Sequence, residues 1–239
     1  FPTRRSSDLH HFARLFTRYG HEVKLIPPQY VKPYVKTNKT DAADAEAICE
    51  AVTRPNMRFV QIKTEEQQAV LALHTERGIL IRERIACSNS LRATLAEFGI
   101  TIAAGQSHLT HELPAILEDD ENGLSPFVRT SIYRQSKHIR ELEEQVKQVE
   151  QALASWYRTQ EACQRMAKIP GVGMLTATYV IAAVGNARQF STAKQFASWL
   201  GLTPKEHSSG GKQQLGGISK RGDGYFRYLL VHGARALTA

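Results

Sequence analysis

Two aspartates stand three residues apart in Lys39-Thr40-Asp41-Ala42-Ala43-Asp44-Ala45. On a helix this spacing puts both carboxylates on one face. Such a pair can hold a divalent cation, because magnesium takes one or two carboxylates together with waters and phosphate oxygens, and so polarises a phosphodiester. The small alanines let a nucleic-acid backbone come close. The competing assignment makes Thr40 a helix N-cap and Asp41 a residue that answers the helix dipole. A second group lies far downstream: Gly201-Leu202-Thr203-Pro204, then Ser208-Ser209-Gly210-Gly211-Lys212, then Ile218-Ser219-Lys220-Arg221-Gly222 and a helix bearing Arg227. Glycines beside a serine free its hydroxyl to approach a phosphate as a nucleophile. Lys220, Arg221 and Arg227 can then stabilise the developing negative charge, and His207 is a candidate proton acceptor. The competing assignment is a solvated Gly/Ser loop with serine as filler. Between the two groups, Lys168-Ile169-Pro170-Gly171-Val172-Gly173 precedes an apolar helix through Val184 and a further helix from Thr192 to Leu200. That pattern suits a helix-hairpin-helix, in which Gly171 and Gly173 expose backbone amides that hold a DNA phosphate without reading its sequence. A tight turn in a helical core is the alternative.

The elements that must position these residues are mainly helical. His10 to Tyr19 shows a short helical pattern, and Glu22 to Ile26 a brief strand closed by Pro27 and Pro28. From Arg14 to Lys39 the six bases Arg14, Arg18, Lys24, Lys32, Lys36 and Lys39 face one acid, Glu22, which suggests a nucleic-acid-facing surface. An alanine-rich helix runs from Thr40 to about Val52 and stops before Pro55, followed by a possible strand from Met57 to Ile62. Thr64 and Gln67 form a capping-box pattern that opens one long helix to about Phe98. A second long helix carries Ile132, Ile139, Val146 and Leu153 at intervals of seven, with Leu142, Val149 and Trp156 as the second apolar row. Three heptads predict a coiled coil, folded back as an antiparallel hairpin or used for dimerisation. Gly99 to Ser125, with Pro114 and Gly123, reads as a connecting loop with partial helix. The glycine-rich segment from about Glu161 reads as a compact domain of its own.

Composition narrows the function classes. The chain has 239 residues, 42% of them apolar, enough for a substantial core. With 31 Lys and Arg against 23 Asp and Glu, its net charge of +8 has the sign expected of a partner that carries phosphates. Residues 199 to 239 concentrate that charge, with six basic residues against two acids. Cys49, Cys87 and Cys163 form no CxxC pair and leave an odd number, which argues against a disulfide framework or zinc site and fits a reducing cytoplasm. No apolar run approaches the roughly 20 residues that cross a bilayer. Residues 1 to 9, Phe-Pro-Thr-Arg-Arg-Ser-Ser-Asp-Leu, match the in-frame read-through of a common sequencing-adapter oligonucleotide and are set aside as non-native. Phe226 to Leu237 reads as an amphipathic helix with no stop signal behind it, so both ends are expected to be truncated.

Taken together, the Lys39 to Ala45 motif, the Ile169 to Gly173 turn, and Gly201 to Pro204 leading into Ser209-Gly210-Gly211 and Ser219-Lys220-Arg221-Gly222 resemble the IS-one-ten family of bacterial insertion-sequence transposases. The resemblance runs from about His10 to the end of the chain. It implies a mostly α chain in four segments. Residues 1–9 are the adapter-like segment, and 10–62 the remnant of an α/β ribonuclease H-like, RuvC-like domain. Residues 63–160 form a long coiled-coil hairpin, and 161–239 a compact helical C-terminal domain with a helix-hairpin-helix-like turn. It further implies that Asp41 and Asp44 match two of four Mg2+-binding acids, the other two lying upstream, and that Ser209, rather than Ser208, matches the serine that attacks DNA. Gly171, Gly173, Lys212, Lys220, Arg221 and Arg227 are the DNA-binding candidates. The implied partners are element-end and target DNA, a structured guide RNA from the element, and further copies of the chain joined through the coiled coil. The implied enzyme is a transposase that cuts and joins DNA strands. With half of the acidic cluster absent, this chain is expected to be inactive itself. The alternative function is a non-catalytic DNA-binding dimerisation module.

Overall fold

The computed structural model describes residues 7–36, 40–210, 212 and 214–238. Lys39, Gly211 and the first six residues of the adapter-like segment, all invoked above, lie outside the described residues. As expected, the chain is mostly α. It forms two compact units, each built from separated stretches: one joins the chain up to Ala69 with Val180–Tyr228, and the other joins Val70–Tyr179 with the residues from Leu229 onward.

The first unit begins with α1 (Ser7–Arg18), which starts earlier than its pattern suggested, and continues through the single turn α2 (Pro28–Val31) and a 3-10 turn at Lys32–Tyr34 to α3 (Asp41–Val52). The two short strands expected around Glu22–Ile26 and Met57–Ile62 reduce to one antiparallel bridge, Leu25 to Val60, with the Val60 amide donating to the Leu25 carbonyl at 2.7 Å. Prolines close one segment and precede the other, and among the described residues no further strand pairs with either. A lone pair of this kind does not propagate a ladder. The long helix α4 (Glu65–Glu97) opens in this unit with the predicted capping box. The Thr64 amide donates to Gln67 Oε1 at 3.0 Å, and the Gln67 amide donates to Thr64 Oγ1 at 3.1 Å.

The second unit is built on α4 and α6 (Pro126–Thr159). Polar contacts between side chains fix their direction: the ion pairs Arg77 with Glu150 at 2.7 Å and Arg84 with Glu143 at 3.9 Å, and His138 within hydrogen-bonding distance of Glu83 at 3.1 Å. Rising positions on α4 meet falling positions on α6, so the helices are antiparallel. The heptad rows Ile132, Ile139, Val146, Leu153 and Leu142, Val149 are buried. The charged residues between them face outward because each turn of an amphipathic helix hides only one stripe. The segment between the long helices contains α5 (Gln106–Glu118), whose Leu109 and Leu113 join Leu91, Leu95, Ile132 and Ile139 in one core. Next come α7 (Glu161–Met166) and α8 (Met174–Val184).

Back in the first unit, α9 (Ala193–Trp199) is capped by Thr192, whose side chain accepts the Gln195 amide. The strands β1 (Pro204–Glu206) and β2 (Leu215–Ile218) pair antiparallel, and α10 (Gly224–Arg235) follows. Phe190, Phe196, Trp199 and Phe226 pack ring against ring with centroids 5.2 to 6.1 Å apart, anchoring α9 to the start of α10. This aromatic knot is the platform from which the hairpin projects.

Candidate nucleic-acid interface and catalytic residues

Asp41 and Asp44 occupy the first turn of α3, as their spacing required. Thr40 is the N-cap, its side chain accepting the Ala43 amide at 3.2 Å, and this cap leaves both aspartate side chains unengaged among the described residues. Asp41 is exposed and Asp44 half-buried. Among the described residues neither carboxylate has an ion-pair or hydrogen-bond partner. Two open carboxylates on one helix face suit magnesium, which keeps several waters and substrate oxygens of its own. No group of three or more His, Cys, Asp or Glu residues able to hold a metal occurs among the described residues.

The segment expected to be an irregular loop is instead a β-hairpin. Pro204 faces Ile218 and Glu206 faces Leu215 across the ladder, the His207 amide donates to the Gln214 carbonyl, and the Lys212 amide donates to the Ser209 carbonyl at 3.0 Å to close the tip. Gly210 turns that tip with φ +57°, a region that favours glycine. Ser209 and Lys212 therefore stand at the outer end of the hairpin, both exposed. The two serines differ in their surroundings. Ser208 donates its hydroxyl to Glu206 Oε1 at 2.7 Å and accepts the Gln214 amide at 3.2 Å. Among the described residues, the Ser209 hydroxyl has no partner.

The turn that carries Lys220 and Arg221 is locked onto the end of α9. The Ser219 amide donates to Thr203 O at 2.8 Å and the Lys220 amide to Gly201 O at 3.0 Å. Gly201 has φ +73°, and a Cβ there would strike the Arg221 backbone, so the close approach requires glycine. Lys220 itself sits at φ 53°, among the described residues the one non-glycine with positive φ. Lys212, Lys220 and Arg221 are exposed, and none makes an ion pair among the described residues. Arg227 is occupied differently from its companions. Its Nη1 donates to the carbonyls of Leu200 and Arg221, both at 2.8 Å, which holds the α9 end and the turn together.

The N-terminal basic stretch is largely consumed within the fold. Arg14 donates to the Lys63 carbonyl at 2.8 Å and also to Gln68, and Arg18 pairs with Glu65 at 3.1 Å. Lys24 pairs with Glu22 at 2.8 Å, and Lys36 lies 3.5 Å from both Glu46 and Glu50. Counting charges along the sequence could not show this, because apart from Glu22 the acids that answer them come from α3 and α4. His10 is buried beside Lys63 and Arg14 and accepts the Lys63 amide on Nδ1 at 3.2 Å. Burial, then the Lys63 and Arg14 charges, pull its pKa down to about 4.

In the second unit, the turn between α7 and α8 places Gly171 at φ +78°, where an added Cβ would lie 2.5 Å from the carbonyl oxygen of Gly233 on α10. Gly171 is thus required for backbone packing. Gly173 meets nothing within 4 Å and lies exposed just ahead of α8, its carbonyl accepting the Ala177 amide. Behind the turn, His74 is 2% exposed, with its Nε2 3.0 Å from Thr178 Oγ1 and its ring edge-on to Tyr179.

The structure thus forms three local groups: Asp41 with Asp44 on α3, Ser209 with Lys212 at the hairpin tip, and Lys220, Arg221 and Arg227 at the α9–α10 junction. All three belong to the first unit, whereas Gly171 and Gly173 belong to the second. Glu206 and Asp223 escaped sequence reasoning. Glu206 is two residues from Ser208, and residues two apart share a face of a strand, so recognising the hairpin would have paired them. Asp223 caps α10 by accepting the Phe226 amide at 3.0 Å, a pattern present in Asp223-Gly224 ahead of an apolar run.

Comparison with known proteins assigns both ends of the chain. Residues 163–239 match the model described as "Transposase IS116/IS110/IS902 family", and residues 6–100 match a second model described as "Transposase". The chain is 45% identical, over 95% of its length, to a probable family 20 transposase of Pseudomonas aeruginosa, of which it covers 68%. It is 45% identical to the transposase for insertion sequence element IS1111A of Coxiella burnetii, over 95% of this chain and 62% of that protein. A putative transposase of Sinorhizobium fredii is 44% identical over 95% of this chain and 58% of its own length.

Proposed function

Since the chain belongs to the IS116/IS110/IS902 family of transposases, we propose that it is part of an insertion-sequence enzyme that cuts and joins DNA, with Ser209 as the attacking residue. The observation that carries this reading is the position of Ser209: exposed at the tip of a hairpin, its hydroxyl without a partner among the described residues, with the exposed Lys212 across the tip bridge. In the proposed step the Ser209 oxygen forms a bond to phosphorus, one bridging P–O bond of the DNA breaks, the serine proton passes to a base, and the departing sugar oxygen gains a proton. One phosphodiester replaces another, so the bond energy is conserved for rejoining. Lys212, Lys220 and Arg221 hold the phosphate and offset the charge that gathers on its oxygens. Arg227 orients this cluster through the carbonyls of Leu200 and Arg221.

Asp41 and Asp44 would hold Mg2+, which when bound polarises the phosphate and steadies the leaving oxygen. The α3 helix keeps both carboxylates on one side and leaves the remaining coordination positions to water and DNA. The segments 10–62, 63–160 and 161–239 are read as the RuvC-like portion, the coiled-coil hairpin that joins copies of the chain, and the serine-bearing portion with its helix-hairpin-helix-like turn. Gly171 supports that turn and the exposed Gly173 lies where amides can meet a phosphate. A structured RNA of the element is the proposed guide. The pair of acids, with no third among the described residues, favours a second reading of this chain as a DNA-binding module without catalysis.

The deciding experiment extends the chain upstream to the length of its relatives, so that the other two implied acids are present, incubates it with element-end DNA, its RNA and magnesium, and seeks a denaturant-resistant protein–DNA adduct. An adduct lost in Ser209→Ala establishes serine attack. Salt-sensitive binding without any adduct selects the binding module.

A further inference from the structure

Glu206, Ser208 and Gln214 form a chain of hydrogen bonds across the base of the hairpin tip. Glu206 is the last residue of β1 and Ser208 lies two residues beyond, on the same side of the extended strand. Ser208 Oγ donates to Glu206 Oε1 at 2.7 Å and accepts the Gln214 amide at 3.2 Å, while the His207 amide donates to Gln214 O at 3.0 Å. At this level the His207 amide makes a backbone bond to Gln214, while the Gln214 amide goes to the Ser208 side chain instead of a backbone carbonyl. Beyond it, among the described residues, the Ser209–Lys212 bridge closes the tip. A short tip with few backbone bonds opens readily in water. The side-chain rung therefore decides whether Ser209 has one position or many.

We propose that Glu206 is a positioning residue: it fixes the Ser208 hydroxyl, which clamps the Gln214 amide and presents Ser209 outward in a single geometry. The part concerning attack rests on Ser209 being the nucleophile, as argued above. Ser208 is unsuited to that task, because its proton and a lone pair are both engaged inside the hairpin. The carboxylate acts as an acceptor held in place, and a neutral amide oxygen at the same position can do the same. Attack depends steeply on placement, so a loosened tip lowers the rate without removing the nucleophile.

Four variants test this: Ser208→Ala, Glu206→Ala, Glu206→Gln and Ser209→Ala. Amide hydrogen exchange on the chain is the first readout, with the Phe226 amide, held by Asp223, as the reference for an intact fold. The Gln214 amide is expected to exchange about tenfold faster in S208A and E206A, and within about threefold of the original chain in E206Q and S209A. Adduct formation by the upstream-extended chain with element-end DNA, the element's RNA and magnesium is the second readout. S209A abolishes the adduct, S208A and E206A slow it by about tenfold or more, and E206Q restores it to within about threefold. Unchanged Gln214 exchange in S208A and E206A overturns the clamp. An E206Q variant as slow as E206A, or an S208A variant as dead as S209A, overturns the positioning role and makes Glu206 a base acting on Ser208. If the upstream-extended chain with its original hairpin forms no adduct, the Ser209 reading falls by itself, while exchange still decides the clamp.

Discussion

Burial of His74 makes the second unit sensitive to acid by an amount that can be worked out. Thr178 Oγ1 donates to the Met174 carbonyl at 2.9 Å, so its lone pair accepts from His74 and the ring is neutral with its proton on Nε2. Burial first, then the Arg77 charge, lower the His74 pKa from 6.5 to about 4. A depressed folded pKa means that the unfolded chain binds the proton more tightly. The stability associated with neutral His74 is therefore fully present above pH 6.5 and drains away as pH falls toward 4. At pH 5 the linkage relation gives a loss of about 2 kcal/mol, approaching about 3 kcal/mol at pH 4. His74→Gln keeps an N–H donor for Thr178 and cannot titrate, so it serves as the reference. Urea unfolding of both proteins, followed by helical circular dichroism at fixed ionic strength from pH 7.5 to 5, reads the difference. The original chain should lose about 2 kcal/mol more than H74Q across that range. Parallel curves for the two proteins refute the argument, because they mean that the folded state accommodates the protonated ring. His10, its pKa also lowered to about 4, adds a separate acid-sensitive site in the first unit, so the His74 comparison must be made pairwise at each pH.

Further outcomes follow from individual contacts. Gly171→Ala forces a Cβ to within 2.5 Å of the Gly233 oxygen at a positive φ and should cost about 3 kcal/mol or more, whereas Gly173→Ala, with open space around it, should cost less than about 1 kcal/mol; thermal melts compare the two. Arg227→Ala strands two carbonyls and is expected to destabilise by about 2 kcal/mol even without DNA, which urea titration measures. Lys220→Gly relieves a left-handed residue, so stability should stay within about 1 kcal/mol, while the slope of log affinity for duplex DNA against log salt shrinks by about one. Ile139→Ala empties a fully enclosed position in the heptad seam and should cost about 2–5 kcal/mol in the same unfolding assay.

What the sequence disclosed, and what it hid, divides by the range of the interactions. The capping box at Thr64 and Gln67, the Thr40 cap, and the heptads of α6 were legible because each is written within a few turns of one helix. The hairpin at Pro204–Ile218 was hidden because its strands are short and exposed on every described residue, and the second carries two glycines, which leaves no alternation of apolar and polar positions to read. The Arg14 to Lys39 stretch was only half legible for a related reason. A run of bases looks like an open surface only while the answering acids, Glu46, Glu50 and Glu65, remain distant in sequence. With them in place, Lys212, Lys220 and Arg221 are among the exposed bases that make no ion pair among the described residues. The same logic revises Gly171 and Arg227. Both were singled out for meeting a phosphate, yet one is shaped by the backbone of Gly233 and the other by two carbonyls, so what the structure gives each residue is a role in building its local fold. A loss of DNA binding on changing either one therefore reports contact only if the fold, measured without DNA, is unchanged.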